Sequence, residues 1–274
     1  MKKIIISILF CAVYGVFFNF SIAAESFDLD KESLQIPDTH ESKQFIWEVR
    51  KNPRGFVVSI EQSKPLESPI INFRVIISPP ENEKIESAQF FMVDKDFRHY
   101  EHIFPTQQTG NVSLFNFQPA SENQYRIETV LKTDKGWVKI DRDLKFADIK
   151  PALEKSENLK NYQINIKTFP QKVYADHTVT FVFEIFYNGE PVTGLEKIKE
   201  SEIHLASWGT SFFNSFGEFI YATSSQNLGG PEAGVSMVFE RPGTHKIFAT
   251  FRHLGKNHTI ETEIEAMEEE VSKY

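Results

Sequence analysis

The sequence is poor in cysteine, with Cys11 as its single example among 274 residues. Cys11 lies in an apolar stretch near the N-terminus that has the features of a cleaved signal peptide, so the mature chain would carry no thiol. The lack of a thiol excludes disulfides, cysteine nucleophiles and thiolate-bound metals together. Such a chain is held together by core packing, and about 250 residues suffice for one large domain or two ordinary ones.

The sequence also lacks an excess of basic charge and the common catalytic signatures. Its formal net charge is −8, and removing Lys2 and Lys3 with a signal peptide that holds no acidic residue takes the charge to −10. An acidic surface repels nucleic acid phosphates, so nucleic-acid binding is not expected. No G-x-S-x-G elbow, H-E-x-x-H motif or phosphate-binding glycine loop occurs. We therefore predict a protein without a cofactor that is not an enzyme. An enzyme of unknown type is kept as an alternative.

The N-terminus has the features of an export signal. Two lysines precede an apolar run from Ile4 to Phe18, and small residues stand at a cut site after Ala23. This order is typical of a secretory signal peptide. We predict an exported protein, periplasmic or secreted, that is soluble once residues 1–23 are removed. The alternative is an uncleaved anchor, because the apolar stretch is nearly long enough to span a bilayer.

Apolar and polar residues alternate through most of the chain. In "YRIETVL", Tyr125 and Ile127 point to one side, and in "TVTFVFEIFY", Phe181 and Phe183 share a face. Side chains alternate with period two in a strand, so this pattern predicts half-buried β-strands. Turn signals such as "NPRG", "NGEP" and "RPG" separate the strands, and no long segment has a helical period. Further strands are predicted over 44–50, 56–60, 70–77, 88–93, 112–117, 136–146, 202–207, 218–223, 235–239, 244–252 and 258–265.

The two halves of the chain repeat one order of elements. In the first half "INFRVIIS", "SAQFFMV", "FRHYEHIFP" and "NVSLFNFQP" follow one another, and in the second "VTFVFEIF", "SEIHLAS", "FGEFIYATS" and "GVSMVFERPG" do. Short strands without helices predict an all-β fold of two tandem Ig-like antiparallel β-sandwich domains that arose by duplication. The predicted boundaries are 1–23 for the signal peptide, 24–40 for a polar leader, 41–148 for the first sandwich domain, 149–161 for a linker, 162–266 for the second sandwich domain and 267–274 for an acidic tail.

The second half resembles a family of small exported bacterial domains. "GEPVTGLE", "IHLAS", "FIYATS" and "FERPGTHKIFATF" are similar to stretches of the YtkA-like β-sandwich domains, which occur near copper-handling and heavy-metal-resistance proteins. The resemblance covers residues 179–264 well and residues 70–146 more faintly. It implies a β-sandwich fold and a setting in which copper or zinc is handled.

The resemblance also implies candidate metal ligands, although the family's set of histidines is incomplete in both halves. His204 matches a histidine that the family carries in a His-Leu pair on a strand. In the first half, "HYEHIFP" matches a His-Phe-Gln-His-Leu-His-Pro pattern through His99 and His102. The remaining family positions hold other residues, namely Gln89, Phe104, Tyr221 and Thr223.

The histidines of "FRHYEHIFP" support two interpretations. A first-row metal needs three or four converging ligands, whereas a regular strand would point His99 and His102 to opposite faces. We therefore expect a polar strand end, and the alternative is a weak copper or zinc site formed by His99, His102 and His204. A second histidine pair, His253 and His258, could meet across the hairpin "HLGKNH", and a solvated hairpin end is the alternative there.

The stretch "SWGTSFFNSFGEF", residues 207–219, has aromatic residues at spacings that do not follow strand alternation. We interpret it as a long loop, and loops on a rigid sandwich often carry recognition. The predicted function is an exported binding or interaction module whose second-domain loops contact an envelope protein or a small ligand. The alternative is that the loop folds back over an open end of the sandwich. The residues predicted to bind the partner are Trp208, Phe212, Phe213 and Phe216.

Overall fold

The computed structural model describes residues 50–64, 68–120, 124–146, 159–210 and 216–268. These residues all belong to one structural unit. The predicted signal peptide and leader, and nearly all of the predicted linker and acidic tail, lie outside the described residues. Within the described ranges, no helix is long and apolar enough to cross a membrane.

The described part of the first half consists of short strands whose inward side chains are apolar. In "INFRVIIS", Ile71, Phe73, Val75 and Ile77 are buried, while the residues between them are exposed or half-buried. The strands are β1 Arg50–Lys51, β2 Val57–Ser63, β3 Ile71–Ser78, β4 Ile85–Asp94, β5 Tyr100–Ile103, β6 Gln107–Thr109, β7 Val112–Phe117, β8 Gln124–Thr133 and β9 Gly136–Lys145.

These strands form two sheets that enclose one core. One sheet has the order β2-β3-β7-β6 and the other the order β1-β9-β8-β4-β5. The phenylalanine rings between them pack closely, with Phe73 stacked on Phe115 at 5.0 Å between centroids. The order of the first sheet is that of strands A, B, E and D of an immunoglobulin sandwich, and β9-β8-β4 corresponds to strands G, F and C.

The second half forms a comparable pair of sheets around its own core. The sheet orders are β10-β11-β15, with β12 also paired to β11, and β14-β13-β16-β17. The strands are β10 Tyr162–Phe169, β11 Thr178–Tyr187, β12 Glu190–Pro191, β13 Ile203–Thr210, β14 Phe216–Thr223, β15 Glu232–Val238, β16 Gly243–His253 and β17 Lys256–Ala266.

The predicted all-β sandwich fold is confirmed by these four sheets. The strand order β5-β4-β8-β9 in the first half corresponds to β14-β13-β16-β17 in the second. The origin of this agreement in a gene duplication stays a prediction. Short strands at sheet edges, such as β6 and β12, were not predicted, because two or three residues are too few to show alternation. The predicted strand 44–50 overlaps β1 at Arg50, and the rest of it lies outside the described residues.

Candidate functional site

The two halves pack against each other through a third hydrophobic cluster. It lies between the outer face of β4, β5 and β8 and the outer face of β13, β14 and β16. We call this surface the inter-half contact. Its fully or nearly fully buried members are Phe91, Val93, Val130, Ala206, Trp208, Phe219, Tyr221 and Phe248.

Aromatic rings from both halves interleave at the centre of the inter-half contact. The Tyr100 ring stacks on Phe248 at 4.3 Å and meets the edge of Trp208 at 5.9 Å between centroids. Phe91 packs against Phe219 at 5.4 Å. Because aromatic side chains bury large areas, these rings supply much of the free energy that holds the halves together.

The predicted partner-binding residues require a correction. Trp208 does not lie in a loop, since it belongs to β13 and is fully buried against the first half. Phe216 opens β14, where it meets Phe97 at 5.8 Å and lies under the Arg126 guanidinium at 4.8 Å. The aromatic spacing of this stretch therefore serves contact within the chain. Phe212 and Phe213 lie outside the described residues.

His102 and His204, predicted from the two halves, meet inside the inter-half contact. Their ring centroids are 5.1 Å apart. His102 Nε2 lies 2.9 Å from Gln89 Oε1, and His204 Nδ1 lies 2.6 Å from the Tyr221 hydroxyl. His204 Nε2 lies 2.7 Å from the carbonyl oxygen of Ile198. The four side chains form a buried polar network that crosses from one half to the other.

The hydrogen-bond partners of His204 define which nitrogen of its ring carries the proton. Because a carbonyl oxygen only accepts, His204 Nε2–H donates to Ile198, and Nδ1 is left as an acceptor facing the Tyr221 hydroxyl. The single proton of that hydroxyl is shared between His204 Nδ1 and Gln89 Oε1. Burial lowers the pKa of His204 to about 4. Burial, and then the nearby His204, lowers the pKa of His102 well below its usual value. Both rings are therefore neutral at physiological pH.

His99 does not join this network. It faces the core of the first half, where its Nδ1 lies 3.1 Å from the Tyr125 hydroxyl. His99 and His102 thus point to opposite faces, as strand alternation predicts. Within the described ranges, no group of three or more His, Cys, Asp or Glu side chains could hold a metal. The hypothesis of a copper or zinc site built from His99, His102 and His204 is therefore wrong in its geometry.

The network occupies matching positions in the two halves. His102 pairs with Phe91 across β4 and β5, and Tyr221 pairs with Ala206 across β13 and β14. Gln89 and His204 each stand two residues before these central positions. Across the contact His102 approaches His204, and the Tyr221 hydroxyl lies 3.3 Å from Gln89. By position, His102 corresponds to Tyr221 and Gln89 corresponds to His204. Each of these contacts therefore joins one kind of position to the other kind in the opposite half, which is the pattern of a two-fold symmetric interface.

Groups that can ionise lie on the other side of Phe91 from His102, because Phe91 pairs with His102 on β5 and with Glu128 on β8. Glu128 is buried, and one of its oxygens, Oε2, has no hydrogen-bond partner among the described residues. Burial raises its pKa to about 8, although the neighbouring Lys139 favours the ionised form. The Lys139 ammonium donates to the carbonyl oxygen of Phe219 in the other half. Burial and a hydrogen bond with Glu240 raise the pKa of Glu218 to about 7.

Three segments of the second half meet at one end of the sandwich. β13 begins beside Thr223 and Phe251, so residues 192–202, 224–231 and 254–255 lie at the same end. We call these segments the three-loop end. Residues 211–215 connect the opposite ends of β13 and β14, so the three-loop end is not the surface that the sequence predicted.

Hydrogen bonds tie the segments of the three-loop end together. Leu195 N donates to Gly229 O at 2.9 Å, and Glu196 N donates to Arg252 O at 2.9 Å. Gly229 N donates to Glu202 Oε1 at 2.7 Å, and Gly255 N donates to Glu196 Oε1 at 2.6 Å. The segment 192–202 therefore bridges the other two segments and fixes their relative positions.

Two leucines project from this bonded assembly into solvent. Leu228 is 76% exposed and precedes Gly229, while Leu254 is 63% exposed and precedes Gly255. Each is therefore next to a residue that segment 192–202 holds by a hydrogen bond. The two leucines form the apolar part of the three-loop end.

Comparisons with known proteins give a partial family match and two distant structural likenesses. A family model described as a domain of unknown function, DUF8832, matches residues 157–268. No curated protein matches the chain in sequence. Dimeric latent PorU from Porphyromonas gingivalis is similar over 78% of this chain, with 9% identity and a TM-score of 0.25, and the chain spans 20% of its length. The FN1–FN3 domains of chicken CNTN1 are similar over 80% of this chain and 67% of theirs, with 10% identity and a TM-score of 0.25.

Proposed function

We propose that the protein is an exported, non-enzymatic interaction module that binds a protein of the cell envelope through the three-loop end of its second half. The observation that carries this proposal is the pair of exposed leucines, Leu228 and Leu254, on the two segments that segment 192–202 bridges. Buried apolar side chains at the centre of an interface supply much of its binding energy.

The rigidity of the three-loop end supports the proposal. Binding is weakened by the conformational entropy that a flexible loop loses when a partner orders it. Here a backbone hydrogen bond from Leu195 to Gly229 holds one of the loops that carry the two leucines. The Glu196 carboxylate holds the other by accepting a hydrogen bond from Gly255 N. A partner would therefore meet a surface that is largely preformed.

The inter-half contact supports the same surface in a second way. It buries Trp208 and half-buries Phe216, so the aromatic residues of β13 and β14 are used within the chain.

Export is supported by the basic start, the apolar run and the small residues before position 24. The non-enzymatic character is supported by the absence of known catalytic motifs from the sequence.

Site-specific photo-crosslinking in cells tests the proposal. A photoreactive amino acid replaces Leu228 in one variant and Leu254 in another. Val57, which is 63% exposed in the first half, is the matched control position because its exposure equals that of Leu254. We expect adducts of one mass from positions 228 and 254 and none of that mass from position 57.

A second substitution shows whether the adduct depends on the apolar surface. With the probe at position 228, Leu254→Asp should remove the adduct, whereas Val57→Asp should leave it unchanged. Adducts of equal yield from all three positions, or none from 228 and 254, would contradict the proposal. Fractionation of the same cells shows whether the protein is exported.

A further inference from the structure

Two histidines and a tyrosine at one end of the second half direct their polar atoms at one another. Tyr162 Oη lies 2.8 Å from His253 Nδ1 and 3.2 Å from His258 Nε2. Tyr162 begins β10 in one sheet, whereas the histidines belong to β16 and β17 of the other. The three side chains therefore connect the two sheets of the sandwich.

Strand register places the two histidines on the same face. His258 pairs with Phe251, and His253 follows Phe251 by two residues on the same strand. Diagonal neighbours of this kind are within reach of each other when their side chains are long. The Tyr162 hydroxyl supplies the third polar atom. The alternation of residues in the sequence did not predict that it would lie beside this hairpin.

Aromatic rings hold the three side chains in place. Phe251 lies 5.2 Å from the His258 ring and 5.5 Å from the Tyr162 ring. Tyr187 lies 4.9 Å from Tyr162 and 5.4 Å from His253. Both histidines are buried, but Tyr162 is half-buried. The group is therefore rigid and still reachable from solvent through the tyrosine.

We propose that Tyr162, His253 and His258 bind a divalent first-row transition-metal ion, such as Zn²⁺ or Cu²⁺. Imidazole nitrogen suits both ions. With Zn–N bonds of about 2.0–2.1 Å, the ligands of a tetrahedral site stand roughly 3.3 Å apart. The 3.2 Å separation between Tyr162 Oη and His258 Nε2 matches this spacing, and the 2.8 Å separation between Tyr162 Oη and His253 Nδ1 is shorter by about 0.5 Å. Water would complete the coordination on the open side.

The pair His102 and His204 lacks these properties. Both nitrogens of His204 already have partners, namely the Tyr221 hydroxyl and the Ile198 carbonyl. At the second pair, by contrast, one phenol oxygen lies within 3.2 Å of a nitrogen from each histidine, and that oxygen can itself bind a metal. Binding there replaces the phenol proton by the metal, so the O–H bond breaks, an O–metal bond forms and one proton is released to solvent.

Calorimetric titration of the purified protein with ZnCl₂ tests the proposal. Titration in two buffers with different ionisation enthalpies counts the protons released. We expect one ion per chain and about one proton released per ion, because ligands must lose their protons to bind. Tyr162→Phe should retain the ring packing, release no proton and weaken binding roughly tenfold or more. His253→Ala should remove saturable binding.

His177→Ala is the matched control, because His177 is an exposed histidine of the same half. It should bind like the wild type. Absence of saturable Zn²⁺ and Cu²⁺ binding by the wild type would overturn the proposal, as would equal affinity and proton release in Tyr162→Phe. If His253→Ala fails to fold, the proton count of Tyr162→Phe and the Cu²⁺ electron paramagnetic resonance of the wild type, which should show two nitrogen ligands, decide.

Discussion

The cores inside each half differ from the cluster that joins the halves. Phe73, Phe90 and Phe115 fill the first half, and Phe181 and Phe183 fill the second, in surroundings made of apolar side chains. The inter-half contact combines its aromatic rings with buried groups that can ionise. His102 and Glu128 lie on either side of Phe91 in the sheet of the first half, and His204 meets His102 from the second half.

The difference shows how one sheet can serve two tasks. The inner face of β4 packs by shape against its own half, and apolar contacts alone tolerate many arrangements. A buried polar network tolerates few, because each unpaired donor or acceptor costs free energy. The hydrogen bond that crosses the contact, from the Tyr221 hydroxyl to Gln89 Oε1, and the meeting of the His102 and His204 rings therefore favour one alignment of the halves. The two-fold pattern of these positions means that each half contributes to the alignment in the same way.

The largest expected effect comes from removing the central aromatic residue of the inter-half contact. Trp208→Ala should lower the free energy of unfolding by about 3–5 kcal/mol, because the cavity left by a buried aromatic ring is costly. Phe183→Ala, in the core of the second half, is the comparison and should cost a similar amount. Urea denaturation followed by far-ultraviolet circular dichroism measures both.

The two variants should differ in cooperativity. Trp208→Ala leaves both inner cores intact, so we expect its transition to separate into two steps, one for each half. Phe183→Ala keeps the inter-half contact and lowers the stability of the second half. A Trp208→Ala variant with an unchanged midpoint and a single step would show that the contact does not join the halves.

A second expected effect concerns Glu128 as the pH rises from acid to slightly above neutral. Burial raises its pKa from 4.5 to about 8, so the folded state holds a proton that the unfolded chain loses as pH rises between these values. Because the folded state binds more protons in this window, the free energy of unfolding falls as pH rises. Glu128→Gln should remove this loss and gain about 1–3 kcal/mol on the wild type between roughly pH 5 and pH 8.

Urea midpoints measured across this pH range test the expectation for Glu128. Glu190→Gln is the control, because Glu190 is exposed in the second half. It should follow the pH dependence of the wild type. A Glu128→Gln curve parallel to that of the wild type would mean that Glu128 does not take up the proton on folding.

A smaller effect of opposite sign is expected for His204 in acid. Its pKa falls from 6.5 to about 4 on burial, so between these values the unfolded chain binds a proton that the folded chain does not. Stability should therefore decrease as pH falls through this window, by about 1–2 kcal/mol for this residue. His204→Gln should flatten the decrease, and His102 should retain part of it.

The acid limb is measured by the same urea titrations between roughly pH 6.5 and pH 4. His177→Ala, which changes an exposed histidine, should keep the slope of the wild type. A His204→Gln variant with the full wild-type slope would place the proton uptake elsewhere. The two windows overlap between roughly pH 4.5 and pH 6.5, where the contributions of His204 and Glu128 oppose each other. The inter-half contact should therefore be most stable in this overlap, losing stability through Glu128 at higher pH and through His204 at lower pH.

Most of the strands could be predicted from sequence, because each has an inward face of regularly spaced apolar residues. The stretch 71–78 shows this spacing plainly. The strand faces that form the inter-half contact are less evident in the sequence. In "AQFFMV" both Phe90 and Phe91 are apolar, although neighbours on a strand face opposite sides, and an apolar run of this kind is typical of a strand that is buried on both faces.

The candidate sites were predicted in part. His102 and His204 were named from sequence, but 101 residues lie between them in the chain. Only the packing of the two halves brings their rings together. Tyr162 was not named as a ligand, because its strand belongs to the facing sheet. Trp208 was placed in a loop because its neighbours Gly209 and Thr210 interrupt the expected pattern, whereas the structure continues β13 through them.

The sequence by itself determined the strands, since the period of two follows from local backbone geometry and needs no knowledge of distant residues. It also determined that stability comes without disulfides in a chain that lacks residues 1–23. The tertiary structure decided which outward faces are buried, which histidines meet and which leucines stay exposed. These outcomes depend on contacts between residues far apart in the chain, and such contacts form only when whole sheets pack.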